Sequence, residues 1–268
     1  MRTEATVTRP SVRSGTAPTP QVAPDGVADA DTGHRELRPA TRLVVTWFAA
    51  YALLSAACVG LGVLITDAGL TAGMRRWDVS VNRWFVHQRT GTIDSLTAVG
   101  SHLAETPTVI GVGLVVVALV WWRRRDLYAV GILVVGLTLE VSVFVTTTIF
   151  VDRARPPVHH LDAAPPTSSF PSGHTAAAVV LYVGLIIVVL RVWRRGARSA
   201  GVVTFLALVP LAVALSRLSR GMHHPTDVLA GAALGAAALV VACVAVRAAM
   251  LRSGRPDPTV PTGREAHA

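Results

Sequence analysis

Residues 171–193 read PSGHTAAAVVLYVGLIIVVLRVW. Four residues suited to a turn lead into an apolar run, and no charge appears between Thr175 and Leu190. The run, about 175–193, is close to the ~20 residues a helix needs to cross ~30 Å of hydrocarbon. Runs of the same kind lie at about 43–65, 107–122, 128–151, 200–216 and 226–246. The prediction is an all-α integral membrane protein with six transmembrane helices.

Composition agrees. Of 268 residues, 51% are hydrophobic and 15% charged, and the mean hydropathy is +0.51. A soluble domain carries about 25% charged residues. The formal charge of +9, taken alone, suggests nucleic acid, but its distribution argues otherwise. All 25 basic residues are Arg. Thirteen of them flank the spans on one side: Arg35, Arg38, Arg42, Arg123, Arg124, Arg125, Arg191, Arg194, Arg195, Arg198, Arg247, Arg252 and Arg255. The other side holds Arg75, Arg76, Arg83, Arg89, Arg153, Arg155, Arg217 and Arg220. The positive-inside rule then puts both termini in the cytoplasm of a cell-membrane protein. The loops near 67–105, 152–174 and 217–225 face outward, and no nucleic-acid partner is expected.

Residues 1–40 and 251–268 lack periodicity and are expected to be disordered cytoplasmic tails around a membrane domain over 41–250. The first forty residues lack the apolar core of a signal peptide, so the first span is expected to stay as an anchor. Cys58 and Cys243 fall inside spans and read as small packing residues. In the outer loop, Trp77, Trp84 and Phe85 interleave with Arg, which fits a short interfacial helix or an ordinary aromatic belt.

Polar groups that a membrane should not tolerate cluster at the outer ends of spans three to six. Span three ends in TTTIFVDRARPP, where Arg153 and Arg155 present planar forks suited to phosphate oxygens and two prolines stop the helix. Span four opens on Pro171-Ser172-Gly173-His174. A helix N-terminus offers unpaired N–H groups to an anion, Gly173 lets backbone approach closely, and Ser172 also suits a simple cap. Between spans five and six lies SRLSRGMHHPTDVLAG. Pro225 suits a first helical turn, so His223 precedes the helix and Asp227 falls in its first turn. A carboxylate on one imidazole nitrogen would leave the other free to attack; Asp227 also suits a helix start by charge alone.

These residues resemble the type 2 phosphatidic acid phosphatase family, the lipid phosphate phosphatases. The family pattern is Lys-x6-Arg-Pro, Pro-Ser-Gly-His and Ser-Arg-x5-His-x3-Asp. The second part is intact at residues 171–174. The third is complete as Ser216, Arg217, His223 and Asp227. The first matches at Arg155-Pro156, but its Lys position is Thr148. The resemblance covers about residues 100–245 and agrees with six helices. It implies that His223 attacks phosphorus to form a phosphohistidine, with Asp227 holding its imidazole and His174 protonating the leaving group. Arg155, Arg217, Ser172 and the Gly173 amide would hold the phosphoryl oxygens. No metal and no cofactor is implied, and the sequence shows no acidic cluster resembling a metal cage.

Thr148 brings a hydroxyl where the family has a full charge, and Arg153 is expected to supply that charge, with Thr148 at most a weak contact. Glu140, eight residues before Thr148 and on nearly the same helix face, should turn to protein or a cavity. It would pair with a pocket Arg or pack in protonated form. His159, His160 and His224 read as loop residues near the site. The expected function is hydrolysis of a lipid phosphate or isoprenoid (pyro)phosphate at the outer leaflet. The alternatives are a non-hydrolytic protein binding or moving lipid phosphates, and a phosphotransferase sharing the same intermediate.

Overall fold

The computed structural model describes residues 38–66, 72–193 and 196–255. The predicted tails fall almost wholly outside this set, as do Arg35, Arg194 and Arg195. Among the described residues helix begins at Pro39 and persists to Arg252.

All regular structure among the described residues is helical. In chain order it comprises α1 (Pro39–Thr66), α2 (Ala72–His87), α3 (Gly91–His102), α4 (Thr106–Arg124), α5 (Leu127–Phe150), α6 (Gly173–Val192), α7 (Ala197–Ser219) and α8 (Pro225–Arg252). Helix α6 contains a π-helical turn over Val179–Val183. Helices α1, α4, α5, α6, α7 and α8 are the six long and apolar enough to cross a membrane. Each coincides with a predicted span to within a few residues. The differences lie at the ends, where caps rather than hydropathy set the boundary.

Those caps are visible in sequence. Asp126 starts α5 by accepting the N–H groups of Tyr128 (3.0 Å) and Ala129 (3.1 Å). The preceding Arg125 takes the left-handed conformation, φ 52°, that closes α4. Pro225 opens α8, where its missing N–H is no loss.

Hydrocarbon offers no hydrophobic drive between helices, so shape and small residues decide their packing. Leu139 and Val143 of α5 meet Ala176 and Val180 of α6 and Leu234 and Ala238 of α8 in one buried cluster. Large apolar side chains such as Leu53 (71% exposed) and Ile149 (72%) point outward, as a lipid-facing surface requires. Gly231 and Gly235 of α8 press on the Ser172 and Ala176 carbonyl oxygens of the α6 entry, and a side chain at either would collide with them. That small-residue seam sets the start of α6 against the start of α8.

With α1 and the later spans alternating in direction, one end of the bundle gathers the loop 151–172, the turn 220–224 and the helices α2 and α3. Between α1 and α4, where a short interfacial helix or an aromatic belt is expected, residues 72–102 form two helices. Trp77 and Trp84 of α2 are exposed, while Asp78 and Asn82 of the same helix are fully buried.

Candidate active site

The site begins where α5 stops. Past Val151 the chain cannot stay helical beside Pro156 and Pro157, and it folds back on itself. Ser169 N–H donates to the Arg153 carbonyl (2.9 Å) and the Ser169 hydroxyl to the Ala154 carbonyl (3.1 Å). The Arg153 N–H donates to the Ser168 hydroxyl (3.3 Å). This doubled loop leads into α6, whose entry is tied to α8 by Ser172 N–H donating to the Asp227 carbonyl (3.0 Å).

His223 is 5% exposed. Its Nδ1 lies 2.7 Å from the Ser169 carbonyl oxygen. A carbonyl only accepts, so Nδ1 carries the proton and Nε2 keeps its lone pair. Burial pushes the imidazole pKa well below its ordinary value, and Arg217, Arg155 and His174 push in the same direction; the Ser169 bond opposes them. His223 is therefore neutral.

The Asp227 carboxylate does not hold that imidazole. Its nearest oxygen is 3.9 Å from His223 Nδ1, beyond hydrogen-bond range. The reason is that both oxygens are engaged elsewhere. Oδ2 accepts the His224 N–H (2.8 Å), capping α8 as the third helical residue often does, with His224 Nδ1 at 3.2 Å. Oδ1 takes the Arg153 Nη1.

Arg153 is placed differently from the expectation that it supplies a phosphate charge. It is 9% exposed. Its Nη1 is shared between Asp227 and the Thr226 hydroxyl (2.8 Å), and its Nη2 donates to Asp78 (2.8 Å). Two carboxylates thus compensate a charge the interior would not otherwise accept. Thr148 does not turn to the site either: its hydroxyl donates to the Val145 carbonyl of its own helix (2.9 Å). Glu140 is 4% exposed, and none of the ion pairs among the described residues involves it.

Arg155 and Arg217 each keep a donor free. Arg155 Nη1 donates to the Met222 carbonyl (2.8 Å), the residue before His223. Arg217 Nη1 donates to Ser101 (2.7 Å) and Asp162 (2.9 Å). In both, Nε is buried without a partner, which is costly unless an acceptor arrives. Burial lowers the Arg155 pKa, against the pull of Asp227. Ser172 is fully buried, with its hydroxyl 3.0 Å from that of Thr175. Gly173 packs closely under Phe144: a Cβ there would lie 2.8 Å from the ring, which would have to shift. His174 beside it is half-buried.

Several partners escaped the sequence reading. Asp78 accepts the Thr226 N–H (3.1 Å) and hydroxyl (2.8 Å), and Asn82 Nδ2 donates to the His223 carbonyl (3.0 Å). Their spacing of four, away from Trp84 on the helical wheel, is the available signal for a buried polar face. Asp162 bridges Arg217 and Arg220. Burial works to raise its pKa, but both guanidiniums together hold it below the usual carboxylate value.

The six spans and this end-on cluster define a multi-pass membrane protein with imidazole and guanidinium groups gathered at one end. The resemblance to the type 2 phosphatidic acid phosphatases holds: residues 127–251 match the family model described as PAP2 superfamily. Among solved structures, a transmembrane PAP2-type phosphatidylglycerolphosphate phosphatase from Bacillus subtilis is similar in fold, with a TM-score of 0.58 and 22% identity. The match covers 74% of this chain and 92% of that one. LpxE from Aquifex aeolicus matches at a TM-score of 0.48 and 20% identity, over 63% of this chain and 94% of that one. No curated protein sequence matches the chain.

Proposed function

We propose that this protein is a membrane phosphatase that hydrolyses a lipid phosphate, phosphatidic acid-like or isoprenoid, through a phosphohistidine. One observation carries the reading: His223 has its proton committed to Ser169, while Arg155, bonded to the carbonyl of the preceding Met222, and Arg217 each bury an Nε donor without a partner. A nucleophile with a free lone pair, next to cations lacking an acceptor, suits a phosphoryl group.

In this mechanism His223 Nε2 attacks phosphorus in line with the leaving oxygen. The N–P bond forms as the P–O bond breaks. The bond's electron pair goes to the leaving oxygen, which takes a proton from His174. The imidazolium thus formed is stabilised at Nδ1 by the Ser169 carbonyl. Water then gives a proton to His174 and attacks phosphorus, and the N–P bond breaks to release phosphate and neutral His223. Arg155, Arg217, Ser172 and the Gly173 amide hold the phosphoryl oxygens. Arg153 positions the loop through Asp227. The arginine distribution supports an outward orientation of this end of the bundle in the cell membrane, at headgroup level.

The test is phosphate release from a panel of lipid mono- and diphosphates in detergent, with the parent and His223→Ala. Release by the parent alone is expected; equal release by both would overturn the reading.

A further inference from the structure

On the same end of the bundle as His223, a cavity of about 720 Å³ is lined by Arg75, Arg76, Ser80, Arg83, Trp84 and Pro157, among others. The three arginines are exposed. No ion pair, hydrogen bond or ring contact among the described residues engages them. The only acid on α2, Asp78, is turned to the opposite face, where Arg153 and Thr226 hold it. Like charges along one helix face repel, and the positive-inside rule disfavours arginine on this side. Three unpaired guanidiniums around one cavity therefore call for an anion.

Two features say which anion. Trp84 lines the cavity and Trp77 is exposed on the same helix. Exposed tryptophans flanked by arginine mark a helix lying at headgroup depth. There the abundant anions are phospholipid headgroups, and guanidinium forks match their phosphate oxygens. The groove is also held firmly, because the other face of α2 is pinned to the catalytic turn through Asp78–Thr226 and Asn82–His223. At its far wall, Pro157 follows Arg155 by two residues.

We infer that the α2 groove is a binding site for the headgroup of an anionic glycerophospholipid, separate from the pocket that receives the scissile phosphate. This rests on the membrane reading and not on the phosphatase chemistry, and it assigns Arg75, Arg76 and Arg83 a role outside the reaction itself. The bound lipid is not cleaved there; the site fixes α2 in the headgroup layer of an anionic membrane.

The experiment uses the full chain in neutral detergent. Binding of dioctanoyl phosphatidylglycerol, a diester with no phosphomonoester to cleave, is compared with dioctanoyl phosphatidylcholine by calorimetry. The parent and His223→Ala are expected to prefer the anionic lipid alike, by about tenfold or more. The triple variant R75Q/R76Q/R83Q should lose that preference while retaining phosphate release from a soluble monophosphate. R75K/R76K/R83K, which keeps the charge, should retain part of the preference. Equal binding of both lipids by the parent, or an undiminished preference in the glutamine triple, would overturn the site. Loss of binding in His223→Ala would move the lipid to the His223 site and also overturn it.

Discussion

His223 Nδ1 lies 2.7 Å from the Ser169 carbonyl and 3.9 Å from the nearest Asp227 oxygen. The imidazole is thus oriented by backbone, and the carboxylate serves the turn that carries it. Asp227→Asn therefore acts first on the fold. It removes the charge that compensates Arg153 and weakens the acceptor for the His224 N–H. Breaking a buried pair on one side costs about 3–5 kcal/mol. A large fall in melting temperature in detergent is expected alongside lost activity. Full stability with only catalysis lost would show that Asp227 acts on the imidazole directly.

Arg153 and Arg155, two residues apart, should separate cleanly. Arg153→Ala leaves Asp78 and Asp227 buried without their cation, so it should lower thermal stability as Asp227→Asn does. Arg155→Ala removes a half-buried side chain with a free Nε and one bond to the Met222 carbonyl. Its melting point should change little, while kcat/KM for phosphate release falls about 10²–10³-fold, as for other lost charge-stabilising donors. Measuring both quantities on both variants checks the assignment. Unchanged stability in Arg153→Ala would return that residue to the phosphate.

The spans were legible because crossing hydrocarbon demands about twenty apolar residues, a signal every membrane helix must carry. The His, Ser, Gly and Arg groups were legible because a membrane tolerates them only with cause. What sequence did not display were the partners. The Ser169 carbonyl is a backbone atom that any residue would supply. Asp78 meets Thr226 across 148 positions, with no local pattern linking them. Arg153 looked like a phosphate ligand because its spacing from Arg155 is visible, whereas the two carboxylates that engage it are gathered only by the fold.

The protonation of His223 gives a pH signature for stability. Its pKa in the folded protein is well below its ordinary value, chiefly through burial, whereas the unfolded chain titrates near about 6.5. Below that pH the unfolded state binds a proton that the folded state refuses, so stability is full above about pH 6.5 and declines as pH falls. Melting temperatures from pH 7.5 down to 5 should therefore drop less in His223→Gln than in the parent. Catalysis should keep its nucleophile neutral over the same window. Identical pH slopes in parent and variant would contradict the buried neutral imidazole.

Helix α2 lies before the segment that matches the family, yet it holds the turn that carries His223. Asn82→Ala would leave the His223 carbonyl without its donor, at a cost of about 1–3 kcal/mol, and loosen His223. The expected result is a lower kcat with KM nearly unchanged, because Arg155 and Arg217, proposed to hold the phosphate, stay in place. A change confined to KM would mean that Asn82 serves substrate binding instead.

The seam between α6 and α8 gives the last test. Gly231 sits against the Ser172 carbonyl so closely that a methyl group has no room, and the obstacle is backbone, which cannot rotate away. Gly231→Ala must push the start of α6 outward, carrying Ser172, Gly173 and His174 away from His223. Overpacking of this kind costs about 1–3 kcal/mol, and a displacement near 1 Å at reacting groups can cost about 10²-fold in rate. Gly201→Ala on α7, where a new methyl meets nothing within 4 Å, is the matched control and should leave both melting temperature and phosphate release unchanged. If Gly231→Ala retained parental activity, the contact between α8 and the Ser172 carbonyl would not be what sets the position of His174 relative to His223.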